Sequence, residues 1–463
     1  MHDGTSYRSG VASLLRGGWS FGGLHATSEG GVVRALFLAL DGSARVESAA
    51  VAEGSVPSIV DLAPAAQWDE REAHDLYGVR FTGHEPLRPL VDHDLDLGRW
   101  TVPVRGHDPY QVAVGPIHAG VIESGHFRFH LVGDRILHLD ARLFYKHRGL
   151  ERAAEGALLA DGMAYAQRAC AACAVSNGVA YAQACEEALG TAVPSELARA
   201  RTILLELERV WSHLNDIAAV CAGVGLAAGT SHFAALTEQA RRLNARLTGH
   251  RFLFGAVRVA GSDLALDEQA VAEARDELAA LRRGAGRGWR ELIFNTSFMD
   301  RLPDVGVVAA ADALRLGAVG PAARAAGVAV DARAAASRLA YRRFQPVVPE
   351  RAAGDVQARL EQRELELAQS FGILDDLLQA PLEPVAAGPS GEGSQLGVGV
   401  VESPRGRTVC VVERDGDRVA RLRLRTGSYA NWPVVAFAAA DNLLPDFPLV
   451  NKSFELCYAC ADR

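Results

Sequence analysis

The sequence predicts a mostly α protein, in which a large helical bundle with small β appendages follows a small α+β domain. Of its 463 residues, 49% are hydrophobic, which is enough to build a large buried core. From about residue 140 to 380 the apolar residues recur at helical spacing, and Ala, Leu, Glu and Arg dominate. On either side of this region, short apolar runs alternate with turn residues, a pattern that is typical of strands.

The N-terminal part is predicted to form the small domain, over residues 1–95. It begins with alternating runs such as GGVVRALFLALDGSARVESAAV, and a charged, aromatic segment from Trp68 to Asp94 follows. The stretch RWTVPVRGHDPYQVAVGP is rich in Pro and Gly, so we interpret residues 96–110 as a linker. The main domain is then predicted to span residues 111–463.

The main domain is predicted to hold long helices, as in SELARARTILLELERVWSHLNDIAAVCAGVGL and VQARLEQRELELAQSFGILDDLLQ. The Ala-rich stretch near residues 309–340 also has a spacing of Arg and Leu that suits helices. A glycine-rich loop, AAGPSGEGSQLGVG, precedes VVESPRGRTVCVVERDGDRVARLRLRT, which alternates like a hairpin with RDGDR as its turn. We therefore expect the helices to form the body and the hairpin to form a β appendage.

The composition excludes several kinds of protein. The net charge of −8 is spread along the chain, whereas a nucleic-acid partner requires a concentrated basic face. No window approaches about eighteen consecutive apolar residues, so we expect no membrane-spanning helix, and the N-terminus lacks the pattern of a secretory signal. Seven cysteines are an odd number in an unsecreted chain, which indicates thiols and metal ligands rather than disulfides.

Two C-x-x-C pairs, Cys170 with Cys173 and Cys457 with Cys460, are the strongest chemical signal in the sequence. Each pair can place two sulfurs on one ion, and two pairs together make a four-sulfur site. By spacing alone, a structural zinc site is favoured, because tetrahedral four-sulfur sites are most often structural, and two buried pairs of unrelated thiols would also fit. However, 283 residues of mostly helical sequence separate Cys173 from Cys457, which favours a buried centre closed by a whole domain.

Both motifs, QRACAACAVSN and SFELCYACADR, resemble the signature motifs of nickel-iron hydrogenase large subunits. GPIHAGVIESGHFRF, YKHRGLERAAEG, VVESPRGR and GSYANWPVV resemble the energy-converting, membrane-associated branch, and most closely its formate hydrogenlyase type. WDEREAHDLYGVRFTGHEPLRPLV resembles the 30 kDa subunit of complex I, which is fused ahead of the large subunit in that hydrogenase. The resemblance covers roughly residues 67–260 and 398–463. It implies a bundle of the hydrogenase large-subunit and complex I 49 kDa-subunit type.

The resemblance implies a nickel-iron centre on the four cysteines, with small diatomic ligands on the iron. Cys170 and Cys457 would be terminal nickel ligands, while Cys173 and Cys460 would bridge nickel to iron. Soft thiolates suit both metals. Glu151, in HRGLE, matches a glutamate that binds a structural Mg²⁺ near the chain end. Without the resemblance, Glu151 would be interpreted as a solvated helix charge.

Two further residues match catalytic positions of this family. Glu123, in VIESGHF, matches a glutamate that passes protons to a nickel-bound thiolate, and a carboxylate near a buried metal can have its pKa tuned for transfer. Arg405, in ESPRG, matches the arginine whose guanidinium lies over the open metal position beside Pro404. A permanently charged group there can polarise hydrogen during heterolytic splitting. By themselves, Glu123 and Arg405 would be an ordinary surface carboxylate and a hairpin-edge arginine.

The sequence departs from the family pattern around the cysteines. Asn177 stands where the family has a histidine that donates a hydrogen bond to a bridging cysteine, and an amide can donate but cannot titrate. Ala171 and Ala172 replace Gly-Ile inside the first pair, and Glu455-Leu456 replaces Asp-Pro before the second. All four ligands are retained, so we expect metal binding.

The implied activity is the reversible interconversion of protons and hydrogen. Because no cysteines remain in a cluster arrangement, we expect no iron-sulfur cluster in this chain and an iron-sulfur small subunit as its partner. Membrane subunits of a complex I-like assembly are expected as well, with a formate dehydrogenase module as a candidate and no nucleic acid. The chain is then expected in the cytoplasm, peripheral on the inner face of the membrane through its partner subunits.

Two other functions remain open from the sequence. A complex I-like NADH-quinone oxidoreductase subunit would bind a quinone headgroup in the metal cavity. His118, in GPIHAG, leaves room for this function, but the retained cysteines argue against it. A non-catalytic scaffold would hold zinc or no metal at the four sulfurs, and the altered surroundings of the cysteines are its main support.

The chain stops at Arg463, three residues after the second cysteine pair. In the hydrogenase family a C-terminal extension is commonly removed after nickel insertion, by cleavage after a basic residue at this position. We expect a gene that encodes no such tail, because the sequence begins at Met1. We also expect the Arg463 end to fold inward over the metals, near a magnesium ion held by Glu151.

Overall fold

The computed structural model describes residues 4–92, 100, 102–119, 122–388 and 390–463. The predicted fold class is confirmed, because a helical body carries small sheets and follows a small α+β module. The helices are α1 Gly4–Arg16, α2 Gln67–Tyr77, α3 Leu150–Ala153, α4 Leu159–Gln167, α5 Ala174–Leu189, α6 Ser195–Val224, α7 Ala227–Thr248, α8 Glu268–Ile293, α9 Thr296–Met299, α10 Ala310–Leu316, α11 Gly320–Ala325, α12 Val356–Leu377, α13 Gly427–Ala439, α14 Phe447–Phe454 and α15 Tyr458–Asp462. The strands are β1 Ser20–Ala26, β2 Val32–Leu38, β3 Ala44–Ala50, β4 Ser55–Pro57, β5 Arg80–Thr82, β6 Tyr110–Val114, β7 His126–Val132, β8 Arg135–Arg142, β9 Val257–Arg258, β10 Gly261–Ser262, β11 Val385–Ala386, β12 Leu396–Ser403, β13 Gly406–Asp415 and β14 Arg418–Arg425. In these parts of the chain, no helix has the length and apolar character needed to cross a bilayer.

The N-terminal module is built on a three-stranded antiparallel sheet in the order β1-β2-β3. Helix α1 contributes Tyr7 and Val11, one turn apart, to the core beneath this sheet. Strands β4 and β5 pair in parallel beside it. The predicted division into residues 1–95, 96–110 and 111–463 stays a prediction, and it falls partly on residues 93–99 and 101, which lie outside the described part of the chain.

The predicted hairpin is part of a three-stranded antiparallel sheet, β12-β13-β14, in which RDGDR forms the β13–β14 turn. Helix α5 lies so close to β12 that a Cβ atom at Gly399 would be 1.8 Å from the carbonyl oxygen of Ala180. Only glycine permits this approach of helix to strand. The contact fixes α5, which begins next to Cys173, against the strand that leads to Arg405.

Helix α6 is the centre of the helical body. It is buried over most of its 30 residues and packs against α7, α12 and α14. Its buried residues include Arg209, His213 and Asp216, and buried charges are tolerated only when they are paired. Helix α12 supplies partners: Glu366 lies 3.0 Å from His213 Nε2, and Arg363 Nε lies 3.1 Å from Asp216. Charge pairing as well as apolar packing therefore joins α6 to α12.

The expectation of helices throughout the Ala-rich stretch near residues 309–340 is only partly correct. Helices α10 and α11 are short, and beyond them the chain makes one 3-10 turn, Ala332–Ala335, within irregular backbone. Gly317 and Gly327 both have positive φ, at 68° and 84°, where each short helix ends. A left-handed glycine terminates a helix, and the high helix propensity of the surrounding alanines does not overcome it.

Glu413 on β13 attaches the N-terminal sheet to the body. Its Oε1 accepts a hydrogen bond from Arg34 Nε on β2, at 2.8 Å, and lies 3.2 Å from His25 Nε2 on β1. Burial raises the pKa of Glu413, but hydrogen bonds from His25 and Arg34 outweigh burial and lower the pKa to about 2. The deprotonated carboxylate therefore stabilises the folded state.

We expect Glu413→Gln to lower the free energy of unfolding by about 1–3 kcal/mol at neutral pH, because Arg34 loses its charged partner. Since the folded pKa lies below the ordinary value of 4.5, this contribution is present above pH 4.5 and is lost as the pH falls toward about 2. Urea denaturation of both proteins across this pH range measures the difference.

Glu238→Gln is the matched control. Hydrogen bonds from Arg251 and Arg242 lower the pKa of the Glu238 carboxyl group to about 2 as well, but the side chains of Glu238 and of both arginines are exposed. Solvent screens such a pair, so the loss should be smaller than for Glu413→Gln. Equal losses in the two variants would contradict a role for Glu413 in holding the module.

Candidate metal centre

The sulfurs of Cys170, Cys173, Cys457 and Cys460 all lie within 4.8 Å of one another. The first pair stands immediately before α5, with Cys173 as its N-cap, and the second pair straddles the start of α15. Cys457 is partly exposed, whereas the other three cysteines are buried. Their division into terminal and bridging ligands stays a prediction, but the arrangement offers four soft ligands to one centre.

The pKa of Cys457 is shifted in the opposite direction from the pKa values of Cys173 and Cys460. Hydrogen bonds from Cys170, Cys173 and Cys460, and then the charge of Arg405, lower the pKa of Cys457 well below its usual value. The pKa of Cys173 is raised by its hydrogen bonds to the other three sulfurs, and burial raises that of Cys460. Binding of a metal through the sulfurs of Cys173 and Cys460 would therefore release protons.

Arg405 is held in the same pocket by three contacts. Pro404 and Arg405 form the tight turn between β12 and β13. The buried guanidinium lies 2.8 Å from Asp216 Oδ1, donates to Ser212 Oγ, and donates through Nε to the carbonyl oxygen of Glu455 at 3.1 Å. The charge is thereby fixed between α6 and the segment that leads to Cys457.

Sequence reasoning did not identify Asp216, although it is the main electrostatic partner of Arg405. Burial lowers the pKa of Arg405, but Asp216, followed by Cys457 and Cys173, raises it well above its ordinary value. Ser212 and Asp216 are four residues apart, so both face the same side of α6. The sequence signal that could have identified Asp216 is a pair of polar residues at helical spacing within an otherwise apolar helix.

Glu123 lies between solvent and the second cysteine pair. Its Oε2 accepts the backbone N–H of Ala459 at 2.9 Å, and its Oε1 lies 3.5 Å from Lys146 Nζ. The side chain is 41% exposed. One carboxyl group thus contacts both the cysteine segment and the surface.

A pocket of about 360 Å³ lies in front of the cysteines, and its lining includes Glu123, Cys170, Arg405, Glu455 and Cys457. Glu455 ends α14 in a left-handed conformation, with φ of 46°, so that its carbonyl faces Arg405. Burial raises the pKa of its carboxyl group to about 7, despite Lys452 at 3.7 Å. Acidic, basic and sulfur groups therefore share one cavity.

Asn177 is fully buried on α5, one turn beyond Cys173. In the part of the chain that the structure describes, neither its Oδ1 nor its Nδ2 has a hydrogen-bond partner. An unpartnered buried amide is costly, and a position one helical turn from Cys173 is on the same face as that cysteine. Its predicted hydrogen bond to a bridging cysteine stays a prediction.

Arg463 and Glu151 meet in a cluster of charges. Arg463 is buried, and its guanidinium lies 2.7 Å from Glu72 Oε2 and 3.2 Å from Glu151 Oε1. Arg421 and Arg423 approach Glu151 Oε2 to 3.5 and 3.7 Å. Burial raises the pKa of Glu151, but the three arginines lower it overall. Guanidinium groups thus compensate Glu151, and its role toward magnesium stays a prediction.

Asp462 is a second residue that sequence reasoning missed. Its carboxylate oxygens accept the backbone N–H groups of Phe144 and Lys146 at 2.8 and 2.9 Å. Burial raises the pKa of this carboxyl group to about 6. Together with Arg463, whose carbonyl oxygen accepts the N–H of Arg148 at 2.7 Å, Asp462 pins the segment that carries the second cysteine pair.

Two family models match the chain. The model described as respiratory-chain NADH dehydrogenase, 49 Kd subunit, matches residues 224–392. The model described as respiratory-chain NADH dehydrogenase, 30 Kd subunit, matches residues 26–111. The two matches stand in the order that the sequence predicted, with the 30 kDa type first.

Similar proteins come from both hydrogenases and complex I. Formate hydrogenlyase subunit 5 of Escherichia coli (strain K12) is 29% identical over 88% of this chain and 77% of its own length. The C/D polypeptide of the NADH-quinone oxidoreductase of Phocaeicola vulgatus is 27% identical over 80% of this chain and 79% of its own length. A chain of the membrane-bound sulfane sulfur reductase, an archaeal respiratory membrane complex, has a similar structure, with a TM-score of 0.70 and 26% identity over 77% of this chain and 99% of that chain.

We expect Asn177→Leu to raise the free energy of unfolding of the metal-free protein by about 1 kcal/mol, because it removes two buried polar atoms that lack partners. Gln183→Leu, on the same helix and also buried, is the control. Gln183 Oε1 accepts the N–H of Val400 at 3.1 Å, so its loss should destabilise. Urea denaturation compares the variants, and a destabilised Asn177→Leu protein would show that the amide is bonded in the folded chain.

Proposed function

We propose that this chain, in which a 30 kDa-type segment precedes a 49 kDa-type segment, serves as the catalytic large subunit of a membrane-associated nickel-iron hydrogenase. The two family models and the similarity to formate hydrogenlyase subunit 5 confirm the resemblance predicted from the sequence. The observation that carries the proposal is the convergence of four cysteine sulfurs within 4.8 Å, beside a pocket that is lined by Cys170, Cys457 and Arg405.

The residues present fit a nickel-iron group. Four soft sulfur ligands can bind nickel and iron, and the amide of Asn177, one helical turn beyond Cys173, has unused hydrogen-bonding capacity. Cys170 and Cys457 would hold the nickel of this group, and Cys173 and Cys460 would serve as ligands to both its nickel and its iron. When bound, such a centre would supply the reversible heterolytic splitting of hydrogen.

Arg405 and Glu123 would serve the reaction from the protein side. The pKa of Arg405 is raised well above its ordinary value, so the guanidinium remains a fixed positive charge in the pocket. Glu123 would move protons, because its carboxyl group is bonded to the Ala459 N–H on one side and is 41% exposed on the other. A proton taken up at Oε1, the oxygen that faces Lys146 at the surface, can leave to solvent.

Electrons would pass to and from an iron-sulfur small subunit, and membrane subunits of a complex I-like assembly would hold the chain at the inner face of the membrane. A formate dehydrogenase module is a candidate partner. These proposals rest on the relatives named as hydrogenase and NADH-quinone oxidoreductase subunits.

Metal analysis of the purified protein tests the proposed function. We expect about one nickel and one iron per chain, because four thiolates can hold both metals. Zinc alone would contradict the proposal in favour of a scaffold, and the absence of all three metals would favour a quinone-binding subunit.

We expect Arg405→Lys to keep nickel and iron but to lower hydrogen turnover by about 10²-fold or more, because an ammonium group cannot reproduce a directed guanidinium. Arg407→Lys is the control, since Arg407 lies two residues along the same chain and donates instead to Ser20 and Phe21. Hydrogen evolution and metal content are measured for both variants. Full activity in Arg405→Lys would rule out the role assigned to Arg405.

A further inference from the structure

Arg363 is a buried arginine on α12 that neither the sequence motifs nor the proposed chemistry uses. Its side chain is 2% exposed. Its Nε donates to Asp216 Oδ2 at 3.1 Å, and its Nη2 donates to the carbonyl oxygen of Phe454 at 2.9 Å. A third bond, from Nη1 to the carbonyl oxygen of Arg359, ties the guanidinium to its own helix at 2.8 Å.

Arg363 and Arg405 donate hydrogen bonds to the same carboxylate. Asp216 accepts from Arg363 through Oδ2 and from Arg405 through Oδ1, the latter at 2.8 Å. The two arginines also bind successive carbonyl oxygens, with Phe454 bonded to Arg363 and Glu455 bonded to Arg405. Both contacts fall on the segment that leads directly into the second cysteine pair.

This segment requires external support. Glu455 has a φ of 46°, a left-handed conformation that costs energy for a residue with a side chain. Hydrogen bonds to the carbonyls of Phe454 and Glu455 hold the chain in this conformation. A planar guanidinium can span a carboxylate and a carbonyl at once, which a lysine ammonium cannot do with the same direction.

We infer that Arg363 is a positioning residue. By bonding both Asp216 and the Phe454 carbonyl, it sets the positions of the Arg405 guanidinium and the Cys457 sulfur. Its effect on cysteine geometry concerns the four-sulfur cluster alone and does not rest on the proposed function. Its effect on hydrogen turnover rests on the proposed function. The two effects can therefore be measured separately.

The test is binding of Co²⁺ alone to the metal-free full chain, followed through the visible ligand-field bands of Co²⁺ bound to thiolates. In Arg363→Lys we expect Co²⁺ affinity to fall by roughly 10- to 100-fold and the bands to shift, as is typical when a residue that orients metal ligands is changed. Co²⁺ binding requires neither nickel, iron nor hydrogen turnover. It therefore tests the role of Arg363 even if metal analysis contradicts the proposed function.

Arg201→Lys is the control. Arg201 is a buried arginine on α6 whose guanidinium donates to Glu186 Oε2 at 2.9 Å and to the carbonyl oxygen of Arg258 at 3.0 Å, and neither partner belongs to the segment that leads into the second cysteine pair. It should lose stability but bind Co²⁺ within about twofold of the parent protein, with unshifted bands. Equal losses of affinity in both variants, or parent-like bands in Arg363→Lys, would overturn the inference.

Circular dichroism shows whether each variant is folded. If Arg363→Lys does not fold, Arg363→Gln takes its place, because it removes the positive charge beside Asp216 Oδ2 and leaves a side chain that still donates hydrogen bonds. The same fall in affinity and the same shift of the bands are expected. Parent-like Co²⁺ binding by Arg363→Gln would overturn the inference.

Discussion

The structure depends on the pairing of charges that are buried between α6 and α12. Glu366 on α12 lies 3.5 Å from Arg209 Nη1 on α6 and 2.8 Å from Arg324, and none of these side chains is exposed. Removing one partner of a buried pair costs about 3–5 kcal/mol, so any placement of the two helices that separates these pairs is disfavoured. The bond from Arg363 to Asp216, between the same helices, extends this constraint to the cysteine pocket.

The cysteine cluster is a consequence of that placement. Helix α14, which directly precedes the second cysteine pair, packs on both α6 and α12. The first pair stands at the start of α5, and α5 is fixed by its close contact with the glycines of β12. Ligands that are far apart in sequence are thus brought together by rigid elements, which hold a site more accurately than loops do.

The N-terminal module also holds the chain end. Glu72, on α2, lies 2.6 Å from Arg423 and 2.7 Å from Arg463, and all three side chains are buried. The pKa of Glu72 is lowered because these two arginines outweigh the effect of burial. The fused module therefore supplies a carboxylate to the segment that carries Cys460, and its position is linked to the geometry of the cluster.

The sequence by itself determined the mostly helical body, since apolar spacing in α6 and α12 reports directly on a buried face. It also indicated which cysteines could meet, because two C-x-x-C pairs together can make a four-sulfur site. The pairing of Asp216 with Arg363, 147 residues away, was decided only by tertiary structure. The isolation of the Asn177 amide and the breaks in the Ala-rich stretch were decided in the same way. Helix periodicity is a property of neighbouring residues, whereas ion pairs and hydrogen bonds depend on distances in space, which no local pattern records.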